Sequence, residues 1–233
     1  MRNRITLAAV LVAVALSLTV VPATAAETTA TPAAPAAQTC GEIRLTGSLP
    51  APPAGMAVQQ QITIGADCEP RLGEARLVPV ASEGAAKTAV SPAAAPAAGV
   101  AAVRQFKSWN EMYDCCNIRM TGLYTTSQWT TDGGRITTAA TDATQAWNRE
   151  PWNAGWSLKS ATKNTDCFSD CGVSRTEAHA DFTYKGIFDI SGNVYANTHH
   201  SSVDLNADGS ATCRFDVSLR NTFIGWNWQR GCA

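Results

Sequence analysis

Asp204, Asn206 and Asp208, followed at once by Gly209, stand at the alternating positions that open a calcium-binding loop. Such a loop also takes a bidentate carboxylate at its twelfth position, which here is Phe215. The flanks alternate like strands where that motif requires helices. A hairpin turn needs the same residue types, because Asn206 and Asp208 suit turn conformations and Gly209 accepts positive φ. The spacing therefore predicts strand, turn and strand over 203–213, with Asp204, Asn206 and Asp208 as ligands only in the competing metal reading. No cofactor is expected.

A second set of chemical groups follows from the strands around that turn. RTEAHADFTYKGIF places Ala178, Ala180 and Phe182 on one face and Glu177, His179 and Asp181 on the other. ATCRFDVSLR turns Ala211, Cys213, Phe215, Val217 and Leu219 inward. Centring the first hairpin on Ser191 and Gly192 sets Ala180 opposite Val203 and His179 opposite Asp204. That register also sets Asp181 opposite Ser202 and Thr183 opposite His200. A three-residue loop of Ala207, Asp208 and Gly209 sets Val203 opposite Cys213 and Leu205 opposite Ala211. His179, His200, Asp181 and Asp204 would then share a wet face, and could ligate a metal, with His179 joining Asp204, or transfer protons. Alternation alone also produces a solvated polar face in any one-sided sheet. No Gly-x-Ser-x-Gly or His-Glu-x-x-His accompanies the 3 histidines, so no nucleophile signature supports the catalytic reading.

Trp147, Trp152 and Trp156 crowd into QAWNREPWNAGW, where Pro151 and Gly155 signal an irregular loop. Exposed indoles beside Asn and Gln could bind a sugar or a protein. Trp226 and Trp228, at alternate positions, fit the core instead. The 8 cysteines, Cys40, Cys68, Cys115, Cys116, Cys167, Cys171, Cys213 and Cys232, predict four bridges. Cys40 and Cys68 pair by elimination, since the other six lie in one block. Cys167 and Cys171 suit a bridge better than a zinc site, which needs four ligands. Adjacent Cys115 and Cys116 point opposite ways in a strand, so they need different partners. Cys213 faces inward and is assigned to one of that pair, leaving Cys232 to tie down the chain end.

The elements that must hold these groups are strands. NIRMTGLYTTSQW, GGRITTAA and GWSLKSA supply more of them, and the best helical candidate, TDATQAWN with Thr141 as its cap, is short. The fold expected is all-β: a disulfide-stabilised antiparallel β-sandwich or small barrel over 104–233. That length suffices for one core of roughly 130 residues. Ahead of it, MAVQQQITIG and EARLVPV form a short hairpin-like β segment over 40–83, a possible propeptide or docking arm. Ala/Pro-rich linkers flank it at 27–39 and 84–103.

A basic start, an apolar run over residues 5–21 and an Ala-x-Ala pattern mark residues 1–26 as a secretory signal peptide. The mature chain is expected to be secreted, extracellular and unanchored. This leader and the Ala/Pro linkers resemble those of proteins exported by high-GC bacteria. Without Arg2 and Arg4 the chain holds 16 basic against 19 acidic side chains, unlike a nucleic-acid binder. The expected function is a non-enzymatic binding or adaptor module for another extracellular protein, its linker delivering a β segment to a partner's sheet edge. The alternatives are cell-wall glycan binding through the tryptophan cluster and a hydrolase built on the histidine face.

Overall fold

The structure, a computed structural model, describes residues 39–80, 103–150, 155–186 and 194–233. The expected leader, most of both linkers, Trp152 and the turn at Ser191 and Gly192 lie outside these residues. The elements in chain order are β1 (Thr39–Cys40), β2 (Ile43–Leu49), β3 (Met56–Ile64), β4 (Pro70–Leu72), β5 (Arg76–Pro79), β6 (Arg104–Tyr113) and β7 (Arg119–Asp132). They continue as β8 (Arg135–Trp147), β9 (Trp156–Thr165), β10 (Val173–Tyr184), β11 (Ala196–Asn206), β12 (Ala211–Leu219), β13 (Thr222–Phe223) and β14 (Asn227–Cys232). All pairings are antiparallel. A five-stranded sheet in the order β2-β12-β11-β10-β9 faces a seven-stranded one in the order β4-β3-β14-β6-β7-β8, with β5 also on β3. The chain is an all-β sandwich. Among the described residues there is no helix, hence none long and apolar enough to cross a membrane. TDATQAWN is therefore a correction: it is the second half of β8, paired with β7 from Thr141↔Ser127 to Trp147↔Thr121. β7 already holds Thr121, Leu123 and Thr125 at the interface, and the edge it offers overrides a weak local helix preference.

The meander β10-β11-β12 forms as its alternation requires. Its second hairpin has the expected register, Val203↔Cys213 and Leu205↔Ala211. Gly209 has φ 87°, and its N–H donates to Asn206 O at 3.0 Å. The first hairpin is shifted by four residues, with Ala180 opposite His199 and His179 opposite His200. An even shift keeps every side chain on its face, so matching faces could not detect it. The turn is set instead by where the chain reverses, and Tyr184 N donates to Tyr195 O at 3.2 Å, leaving residues 185–194 between them.

Residues 39–80 are not a separate piece. MAVQQQITIG and EARLVPV do pair, as β3 with β5, but the other edge of β3 joins β14 in the main sheet. β2, not foreseen as a strand, completes the other sheet along β12. A segment this short gains its core by supplying a strand to each sheet. Cys40 bonds Cys68, and Cys167 bonds Cys171. The pairing expected for Cys213 is corrected: its partner is Cys232, which joins the inner faces of β12 and β14. Cys115 and Cys116 are exposed free thiols. They occupy the turn between β6 and β7, and the inward-facing Cys213 assigned to one of them is bonded to Cys232 instead.

Candidate ligand-binding face

The outer face of the seven-stranded sheet carries two aromatic rings seated on glycines. Trp109 of β6 lies opposite Gly231 of β14 on one side and Tyr124 of β7 on the other. A Cβ on Gly231 would overlap the six-membered ring of the Trp109 indole, so the indole lies down across that glycine. A Cβ on Gly122 would stand 2.9 to 3.2 Å from the phenol oxygen and ring carbons of Tyr124. Each glycine removes the side chain that would otherwise prop its ring upright, and both rings are half-buried. Amides complete the two rows. Gln59 pairs Gly231 in the row of Trp109, while Gln61, Gln229 and Glu111 align in the next row.

Glu111 holds the arrangement together. It accepts hydrogen bonds from Tyr124 Oη and, at 3.1 Å, from Tyr113 Oη, and lies 3.5 Å from the Arg119 guanidinium. Arg119 also donates to Tyr124 Oη at 2.8 Å. Burial and then the charge of Glu111 push the Tyr113 phenol up to about 12, and burial and Glu111 push Tyr124 up as well. Both phenols therefore keep their protons and remain donors. With two phenols and a guanidinium on it, Glu111 positions rings and is not set up as a base.

Two hollows of about 500 and 440 Å³ share Gln59, Trp109 and Gln229 and form one shallow trough. Arg71, Gly73 and Arg76 wall its far side. Arg230 lines it from below and is 3% exposed. Gln60 Oε1 accepts from its Nε at 3.1 Å and its Nη2 at 2.6 Å, and the guanidinium sits 4.6 Å from the Trp228 ring centroid. Its Nη1 has no partner among the described residues, and it occupies the space a side chain at Gly47 would need. Burial holds this guanidinium below the usual range.

On the opposite face of the sandwich the structure brings His179, His200 and Asp181 together. The two imidazole centroids are 6.2 Å apart, and His179 Nε2 is 3.2 Å from Asp181 Oδ1. Asp181 also accepts from Ser160 Oγ at 2.6 Å and Thr198 Oγ1 at 2.7 Å. Burial raises its carboxyl, but those two hydroxyls and His179 together hold the group below the usual range. A serine triad needs the histidine between serine and carboxylate, and here the carboxylate stands in the middle. Asp204 does not join them. It faces Arg175, which donates to its two oxygens at 2.7 and 3.2 Å, four residues and roughly 13 Å along β11 from His200.

The turn residues are likewise engaged locally. Asn206 Nδ2 donates to Ser210 Oγ at 3.0 Å, and Asp208 Oδ1 accepts from the amide and hydroxyl of Ser210 at 2.8 and 2.7 Å. Those bonds hold Asp208 below its ordinary range. Among the described residues no three His, Cys, Asp or Glu side chains group as metal ligands.

Of the tryptophan cluster, Trp147 and Trp156 are corrected, while Trp152 lies outside the described residues. Trp156 is 6% exposed and packs edge-on against Tyr184 and Trp226 at 5.6 and 6.5 Å. Trp147 is half-buried against Phe182 at 6.2 Å, with the Arg149 guanidinium 5.2 Å from its ring. Neither lies flat toward solvent, because both stand on the inner faces of strands. Trp109 was missed, although RQFKSWNEMY alternates Phe106, Ser108, Asn110 and Met112 against Gln105, Lys107, Trp109 and Glu111. That parity places its indole outward. Comparison with protein-family models, curated proteins and solved structures yields no match.

Proposed function

We propose that this chain is a secreted, non-enzymatic binding module that holds a cell-wall or other extracellular glycan on the outer face of its seven-stranded sheet. The observation that carries the reading is the pair of adjacent rings, Trp109 and Tyr124, lying on Gly231 and Gly122. A sugar ring presents a face of C–H groups that packs on an aromatic face, and a rim of hydroxyls that needs donors and acceptors together. Amides supply both, and Gln59, Gln61 and Gln229 border the rings. The leader and the three disulfides support export. The competing reading, an adaptor reaching another extracellular protein with a free amino-terminal β segment, loses its motivating feature, because residues 39–80 belong to both sheets.

The test is retention of the full chain on insoluble polysaccharides, with Trp109→Ala and Tyr124→Ala beside the native sequence. The native chain is expected to bind at least one polymer, and Trp109→Ala to bind about tenfold more weakly, or roughly 1.4 kcal/mol. Failure of the native chain on every polymer, or full retention of Trp109→Ala, overturns the reading.

A further inference from the structure

We propose that Cys115 and Cys116 are a thiol–disulfide exchange site for low-molecular-weight disulfides, kept as a dithiol by the turn that carries them. Six of the eight cysteines are bridged, and these two are exposed and free. Their sulfurs are 3.6 Å apart. Proximity is therefore not what prevents a bond.

Backbone geometry is. The three bridges join Cα atoms 5.4, 6.6 and 6.5 Å apart. Relaxed disulfides span about 4.4 to 6.8 Å, whereas consecutive Cα atoms across a trans peptide are fixed at about 3.8 Å. Ring closure between neighbours must distort the turn, and this turn resists distortion. Asp114 Oδ1 accepts from Cys116 N at 2.9 Å and Ile118 N at 2.8 Å, and Asp114 O accepts from Asn117 N at 3.1 Å. Asp114 N in turn donates to Ile118 O at 3.1 Å, and Asn117 closes the hairpin at φ 60°. The turn also abuts Gly225, whose φ is 86° and where a Cβ would come 3.3 Å from Cys115 Cβ.

The exchange is balanced by its oxidant. The thiolate of one cysteine attacks a sulfur of a small disulfide RSSR. A protein–S–S–R bond forms, the S–S bond of RSSR breaks, and RS⁻ leaves and takes up the proton that the cysteine gave to solvent. The neighbouring thiol can then displace the second RS⁻ and close the Cys115–Cys116 ring, completing a two-electron oxidation of the dithiol and reduction of RSSR to two RSH. Because that closure is strained, the mixed disulfide accumulates, and the ring, once formed, is more easily reduced than the structural bridges.

The experiment uses the full secreted chain, acid-quenched, alkylated without reduction and mapped by mass spectrometry. Two alkylated thiols are expected, at 115 and 116, or one thiol beside one small-thiol adduct, with the other six cysteines bridged. In graded buffers of oxidised and reduced glutathione, a single adduct should appear on this pair while the other bridges persist. Cys116→Ser should retain an adduct that no second thiol releases, with its three bridges intact as the check on folding. Recovery of a Cys115–Cys116 bond that survives the most reducing buffer the structural bridges survive would overturn the proposal. So would a bridge from either sulfur to another cysteine, or a pair inert to glutathione disulfide. None of these outcomes depends on whether a glycan binds.

Discussion

At the scale of single residues, the candidate ligand face rests on what two glycines leave out. Gly231 has no unusual backbone requirement and is needed for the space under Trp109. Gly231→Ala puts a methyl where the indole lies, and the ring must lift from the sheet or rotate off it. The expected outcome is glycan retention reduced as far as by Trp109→Ala, with a shifted tryptophan emission maximum. The fold should be destabilised by about 1–3 kcal/mol, read from the urea midpoint, because an overpacked site relaxes only in part. Unchanged emission and unchanged binding would mean that the indole does not depend on its glycine floor. This residue was legible in principle. What hid it is the inner side of β6, where Ser108 and Asn110 replace the apolar residues that would have announced an alternating strand.

At the scale of elements, the start of the free edge of β8, from Ile136 to Ala139, is covered by a disulfide loop. Ile136 N donates to Cys171 O, Ala139 N to Phe168 O and Asp170 N to Ile136 O, each at 2.7 Å. A loop that occupies an edge in this way prevents another strand from pairing there. Cys167→Ser with Cys171→Ser should therefore raise hydrogen exchange at the amides of Ile136 and Ala139 while costing little global stability. Breaking Cys213–Cys232 opens a link with a sequence separation of 19 against 4, and on loop-closure entropy alone should cost about 1 kcal/mol more. Equal losses in urea unfolding would show that native contacts of the small loop, not chain entropy, dominate. The strands β10, β11 and β12 and their faces were legible because Ala178, Phe182, Val203, Leu205, Phe215 and Val217 mark one face without ambiguity, but the register of β10 on β11 was not. The placement of β14 between β3 and β6 was not. It joins segments more than 100 residues apart, and no local pattern encodes that choice.

At the scale of the whole molecule, the two sheets meet through a polar cluster as well as an apolar one. His199 of β11 is fully buried, its ring edge-on to Phe182 at 5.5 Å. Its Nδ1 lies 3.1 Å from Asn110 Oδ1, which also accepts from Trp228 Nε1 at 2.5 Å, so Nδ1 carries the proton. Its Nε2 therefore accepts from Thr121 Oγ1 at 2.8 Å, and Thr121 accepts from Asn197 Nδ2 at 3.0 Å. The neutral ring is thus fully satisfied across β6, β7, β11 and β14, and a second proton would charge it away from water. Burial first, with a smaller contribution from His179, pushes His199 down to about 3 from an ordinary 6.5. Because the folded value is the lower one, this stabilisation is complete above pH 6.5 and is lost as the pH falls from there toward 3. The loss approaches about 1.4 kcal/mol per pH unit within that window. Asp181 and Asp208 are also lowered, but from 3.8, so their contributions disappear at more acid pH. Urea unfolding at pH 7.5, 5.5 and 4.5, disulfides intact, should show the midpoint dropping steadily. His199→Gln keeps an amide in the cluster without a titrating ring, and should be less stable at pH 7.5 yet flatter across the series. A variant as steep as the native chain would place the acid sensitivity elsewhere than at the seam between the sheets.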